Sequence, residues 1–296
     1  MIPRGSRLGR LPDFVIVGAP KAGTTSLAHY LGSHPDIFMA TPKEPDFFND
    51  WRDNGRWVRG VSWYRWQFRT GKRVAGEATP LYAAWPVRPS AAERMGRVIP
   101  GARLIYVVRE PFARLSSHYL MAQRQGRFAG TFDEFVTSPV VPHGDEGALA
   151  VACCHYGTQL RHLLRFFPRE RILVLELTEL AARRAEALAT VFRFLGVTPL
   201  VDVPAFEDVR NRAEDAVHPN AAGRRLLASL PARMLQTALP RPVFRRLRRR
   251  VMARYHEPPH EPRLSPAIEA ALAISFRNEV AELRLLSGLA LPSLGP

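Results

Sequence analysis

The chain is 296 residues long and 46% hydrophobic, enough to bury one sizeable core and too apolar for disorder throughout. Its formal net charge is +15, carried by 39 arginines and only three lysines, Lys21, Lys43 and Lys72. That charge favours nucleotides, acidic glycans, nucleic acid or membrane surfaces without choosing among them, and the arginine bias fits a bacterial chain of high GC content.

Residues 1–12 carry Arg4, Arg7 and Arg10 with no apolar run behind them, so they read as a flexible basic N-terminus and not as a secretory signal. No later stretch is long enough to span a bilayer. Cys153 and Cys154 are adjacent and poorly placed for a disulfide, and no Cys/His spacing points to a metal. A cytoplasmic protein is expected, with residues 13–296 as one α/β domain.

Four consecutive β-formers, Phe14-Val15-Ile16-Val17, predict a buried strand, and Leu27 with Leu31 at i,i+4 begins a helix. The glycine-bounded loop between them leaves amides open at the helix start, which with the helix dipole form an anion site. Lys21 adds a mobile ammonium there, and Thr24, Thr25 and Ser26 add hydroxyls. A lysine retained in an arginine-biased chain is itself a signal for a compact point charge. The order is not Walker A, because Lys21 precedes Gly23.

Beyond His34-Pro35-Asp36 an aromatic-rich insertion runs over residues 38–68, too irregular for core α/β structure. Residues 73–77 predict a strand, 91–98 a helix, and 103–108 a clear buried strand after Pro100-Gly101. Pro111 sits where a first helical residue would, leading through Leu115 and Tyr119. A helix over 156–167, a strand over 171–176 and a helix over 178–195 stopped by Gly196 complete the core, 13–200. Alternating strands and helices imply a parallel sheet covered on both faces, with ligands at the strands' carboxyl ends. The part 201–296 reads as helical and Pro/Arg-rich, ending in a helix from Ser265-Pro266 to Gly288. Within it, six arginines over 244–254 and the near-helical spacing of Phe244, Leu247, Val251 and Tyr255 predict a basic amphipathic helix, either a solvated face or a docking site for an acidic acceptor or a membrane surface.

Pro20-Lys21-Ala22-Gly23-Thr24-Thr25 after a strand resembles the loop of sulfotransferases, which binds the 5′-phosphosulfate of 3′-phosphoadenosine 5′-phosphosulfate (PAPS). Val107-Val108-Arg109, with Ser117 eight residues on, resembles the element that holds the 3′-phosphate: an arginine fork at a strand end and a hydroxyl in the next helix. Lys43-Glu44-Pro45-Asp46-Phe47-Phe48 is similar to the heparan-type and related bacterial sulfotransferases, whose glutamate at the place of Glu44 is the general base for the acceptor. Tyr156-Gly157 before Leu160 and Phe194-Leu195-Gly196 follow the same pattern.

This resemblance implies a P-loop-type parallel sheet, PAPS as donor, 3′-phosphoadenosine 5′-phosphate (PAP) as product, and no metal. It places Lys21 and Glu44 in catalysis, and Lys21, Ala22, Gly23, Thr24, Thr25, Ser26, Arg109, Ser117, Tyr156 and Arg210 at the nucleotide. Arg210 enters through Val209-Arg210-Asn211-Arg212, the nearest match to the loop that closes over the 3′-phosphate. Three positions depart from the pattern. Thr79 stands where cytosolic sulfotransferases have a histidine before proline, and Ala78 and Asp46 stand where heparan-type enzymes often have lysine and histidine. The implied acceptor is a hydroxyl or an amine of a small molecule, lipid or glycan, and no nucleic acid is expected. The rivals are a P-loop kinase or NTPase, with Glu176 as its magnesium-binding acid, and a basic anion-binding module without turnover.

Overall fold

The computed structural model describes residues 9–50, 55–138, 146–200, 218–229, 243, 247, 254–257 and 262–295. Strands β1 (Phe14–Gly18), β2 (Ile37–Met39), β3 (Val74–Ala78), β4 (Arg103–Val108) and β5 (Ile172–Glu176) form one parallel sheet in the order β2-β3-β1-β4-β5. β1 and β3 are buried at every position; β1 therefore reads as an apolar run and not as alternation, whereas β3 buries Glu77. Ile16 of β1 lies between Ala78 of β3 and Ile105 of β4, so the carboxyl ends of the three central strands come out side by side.

The helices are α1 (Thr24–Gly32), α2 (Gly60–Trp66), α3 (Ala91–Val98), α4 (Pro111–Gln125), α5 (Phe132–Val136), α6 (Glu146–Ala152), α7 (Tyr156–Leu163), α8 (Leu177–Ala182), α9 (Arg184–Leu195), α10 (Ala221–Ala228) and α11 (Pro266–Ser287). α11 lies along α7 so closely that a Cβ on Gly157 would stand 2.7 Å from the Glu279 carbonyl oxygen. Glu279 accepts from the Thr158 amide at 2.8 Å and its hydroxyl at 2.7 Å, supplying α7 with the cap its own sequence lacks. Among the described residues no helix is long and apolar enough to cross a membrane.

Some elements differ from the sequence expectation. β2 and α2 lie in or at the edge of the insertion expected to be irregular; three residues of β2 are too few to show a period, and the strand is fixed by pairing Ile37 with Val74. The helix expected over 178–195 is two, α8 and α9, because Arg183 leaves the helical range (φ −125°, ψ 53°) with no Gly or Pro to mark the break. Residues 9–12, part of the expected flexible N-terminus, are held. The Gly9 carbonyl accepts from Arg65 at 3.2 Å, and Arg10 pairs with Asp13 at 2.5 Å. Residues 1–8, the 209–212 segment with Arg210, and most of the basic stretch 244–255 lie outside the described residues.

Candidate active site

The loop after β1 is shaped by contacts with β4. Gly18 backs onto the Tyr106 ring, which a Cβ would approach to 2.6 Å, and the Ala19 amide donates to the Val107 carbonyl at 2.6 Å. Lys21 (φ 68°) and Gly23 (φ 84°) then take left-handed backbone, a conformation that costs a lysine energy and is held here by the surrounding packing. α1 begins without a side-chain cap and without an acid in its first turn, which suits its positive end to an anion.

A cleft of about 510 Å³ opens in front of this loop, and Lys21, Gly23, Thr24, Thr25, Ser26, Glu44, Arg109 and Ser117 all line it. Two expected nucleotide contacts stand behind its wall. Ala22 is buried with its amide donating to the Ala19 carbonyl at 3.1 Å. Tyr156 is also buried, and its hydroxyl donates to the Arg109 carbonyl at 2.7 Å; it anchors the strand end that presents Arg109 instead of reaching the cleft.

Three cations, Lys21, Arg109 and Arg127, line the cleft beside two carboxylates, Glu44 and Glu146. Burial, reinforced by Arg124, Arg109, Arg114 and Arg127, pushes the Lys21 ammonium down to about 8. Burial also lowers Arg109, whose guanidinium donates to the Lys21 carbonyl at 3.3 Å. The acids nearest in sequence are otherwise engaged: Glu110 caps α4 by accepting from the Phe112 and Ala113 amides at 2.9 and 2.6 Å. Cations held close together and partly desolvated are poised for a multiply charged anion.

Glu44, with half of its side chain exposed (51%), pairs with Lys43 at 2.8 Å. The Lys43 ammonium also donates to the Thr25 hydroxyl at 3.3 Å, joining the glutamate to the anion loop. Beneath this segment lies buried Glu77, raised to about 7 by desolvation that outweighs its three donors. Tyr64 and Thr79 donate to it at 2.5 Å each and Tyr82 at 3.3 Å. The same hydroxyls accept from the segment's backbone, Thr79 from the Asp46 amide at 3.4 Å and Tyr82 from the Phe47 amide at 2.8 Å. Thr79 is therefore a structural hydroxyl, and Asp46 is occupied within its own turn, where it accepts from Asn49 at 2.6 Å.

His118 is a further cleft residue, for which the sequence showed no partner. Burial pushes it down to about 4, so it is neutral; its Nε2 lies 2.9 Å from Glu146 and its Nδ1 3.3 Å from Arg114. Arg114 is fully buried and donates to the Pro20 carbonyl at 3.2 Å, the Cys154 sulfur at 3.1 Å and the Ala150 carbonyl, propping the anion loop from behind. The scarcity of lysine could have singled out Lys43 as it did Lys21. Arg114, Arg124 and Arg127 carried no such mark, because arginine is the background. Glu176 turns away from the cleft: it accepts from the Ser293 amide at 2.9 Å and hydroxyl at 2.6 Å and lines a separate groove with Leu291 and Pro292. A magnesium-dependent rival loses its acid there.

An anion loop at the central strand end, a second cation at the neighbouring strand end and a carboxylate facing the same cleft define a class of enzymes that bind a phosphorylated nucleotide and move a group from it. The sequence model of the sulfotransferase domain matches residues 11–213, and the chain belongs to that family of transferase enzymes. Human heparan sulfate glucosamine 3-O-sulfotransferase 3B1 is 30% identical over 203 residues, covering 67% of this chain and 49% of the relative. Human heparan sulfate glucosamine 3-O-sulfotransferase 6 is 31% identical over 194 residues, with coverages of 65% and 54%. The membrane-associated sulfotransferase kil1 of Dictyostelium discoideum is 35% identical over 123 residues, 40% of this chain and 24% of that protein. The chain thus spans about half or less of the length of these curated relatives. The crystal structure of a sulfotransferase from Alicyclobacillus acidocaldarius shares the fold, with a TM-score of 0.66 over 96% of this chain and 99% of that one at 24% identity.

Proposed function

We propose that the enzyme moves a sulfuryl group from PAPS to a hydroxyl or amine acceptor. The observation that carries this reading is the meeting of Lys21, the uncapped start of α1, Arg109, Ser117 and Glu44 in one cleft. The donor set fits a nucleotide with phosphate at both ends. Loop amides, hydroxyls and Lys21 take the 5′ side, and the Arg109 fork with Ser117 takes the 3′-phosphate. An acceptor oxygen forms its bond to sulfur as the bond from sulfur to the bridging oxygen breaks; the acceptor's proton passes to Glu44, and Lys21 meets the charge that develops on the leaving phosphate. Lys43 holds the base in register with the loop.

The acceptor side has Pro80, Leu81, Met121 and Leu149 beside Arg127 and Glu146, a mixed wall open to a small molecule, a lipid or a glycan. Asp46 and Ala78, which stand where the heparan-type pattern often has histidine and lysine, do not line this wall. The test is calorimetry without magnesium, comparing PAP with ADP, followed by an acceptor screen with labelled PAPS. PAP is expected to bind clearly tighter, because ADP leaves the 3′-phosphate cation unpaired. Arg109→Ala should cost about 2–4 kcal/mol in PAP binding while the fold persists. Equal affinity for ADP and PAP, or an absolute need for magnesium, would sink the proposal.

A further inference from the structure

We propose that the face formed by the turn before α2, α2 itself and the turn after it docks the enzyme on an anionic lipid surface. This inference is independent of the transfer chemistry. Three large apolar side chains stand out to solvent within nine residues: Val58 is 77% exposed, Val61 37% and Trp66 56%. Arg59, Arg65 and Arg69 are exposed among them, and residues 55–76 contain no acid.

The opposite side of the same stretch is firmly packed, so this outer face is an oriented surface and not a loose loop. Tyr64 stacks on Phe47 at 4.4 Å and 9°, Trp57 lies under the Arg94 guanidinium, and Arg56 donates to the Pro45 carbonyl at 2.7 Å. Apolar tips interspersed with arginines and free of acids match the boundary between acyl chains and phosphate headgroups, where tryptophan rings sit and long cationic side chains reach up to phosphates. The Arg69 guanidinium already lies 4.0 Å from the Trp66 ring centre, which holds a cation and an apolar ring at one depth. A soluble protein partner would need acidic groups set opposite each arginine, whereas an anionic bilayer satisfies them collectively. The basic stretch 244–255 is a separate source of positive charge in the sequence, and the variants below separate it from α2.

The test is co-sedimentation of the full chain with vesicles of phosphatidylcholine and phosphatidylglycerol in equal parts, against phosphatidylcholine alone. Binding is expected to the mixed vesicles only and to weaken with salt. Arg59→Gln with Arg69→Gln should lower vesicle partitioning by roughly ten-fold or more, since each cation near an anionic surface contributes about a five-fold effect. Val58→Ser with Trp66→Ser should lower it at fixed charge, with the melting temperature unchanged in both variants. Wild-type failure to sediment, or sedimentation unaffected by both variants, would overturn the proposal. So would loss of heparin binding in the variants with vesicle binding intact, because the face would then serve a soluble polyanion.

Discussion

Lys21 and Glu44 line one cleft, and the roles proposed for them leave different signatures. Lys21 is held near a pKa of about 8 by burial and by its arginine neighbours, so a bound anion that offsets those charges must raise it. PAP binding at pH 8 should therefore take up a fraction of a proton, and affinity should fall as pH rises above that point. Calorimetry at pH 8 in two buffers of different ionisation enthalpy measures this, and zero uptake would remove Lys21 from the phosphate site. Glu44→Gln keeps size and most hydrogen bonds but accepts no proton. PAP affinity should hold while turnover falls by roughly 10²–10⁴. Steady-state kinetics on a working acceptor would return the base role to open question if turnover stayed near normal. Lys21 was legible because a rare residue sat in a recognisable turn. Arg114 was not, since its burial and its hold on Pro20 exist only once α4 and α6 pack behind the loop.

At the scale of elements, the carboxylate of Glu77 links β3 to the segment that bears Glu44. Its raised pKa has a stability consequence of definite sign. The folded state holds the proton up to about 7 and the unfolded chain releases it near 4.5, so this group's contribution is full below 4.5 and is lost as pH rises to 7. His118, lowered to about 4 by burial, acts in the reverse sense between 4 and 6.5, so wild-type stability alone would blur the two. The difference between Glu77→Gln and wild type isolates the first: the variant should gain on wild type steadily from pH 4.5 to 7 in chemical denaturation. A difference that stays flat across that window would mean the carboxylate is charged throughout. Long apolar strands and Pro- or Gly-bounded helices could be read directly, as for β4, α4 and α11. β2 and the break at Arg183 could not, because pairing at an edge and a turn between two good helix-forming stretches leave no local mark.

Across the whole molecule, alternating strands and helices foretold a parallel sheet, but the order β2-β3-β1-β4-β5 lies in which strands pair, and that is a tertiary fact. Net charge was equally visible, and its effect is global: +15 on one chain repels itself in the folded state. Simple salt should therefore raise the melting temperature by screening. PAP should act differently, because it binds the native state at one place; at about 100 times its dissociation constant it adds roughly 2.7 kcal/mol. The two effects separate in Arg109→Ala. That variant should keep the salt response of the wild type, since one charge among many is lost, while its PAP response at the same concentration shrinks sharply. Thermal melts of both proteins in a salt series, each with and without PAP, give the comparison. If the PAP response survives in Arg109→Ala and vanishes at high salt in both proteins, the nucleotide is being gathered by net charge alone, and the cleft is a diffuse anion trap and not a nucleotide site.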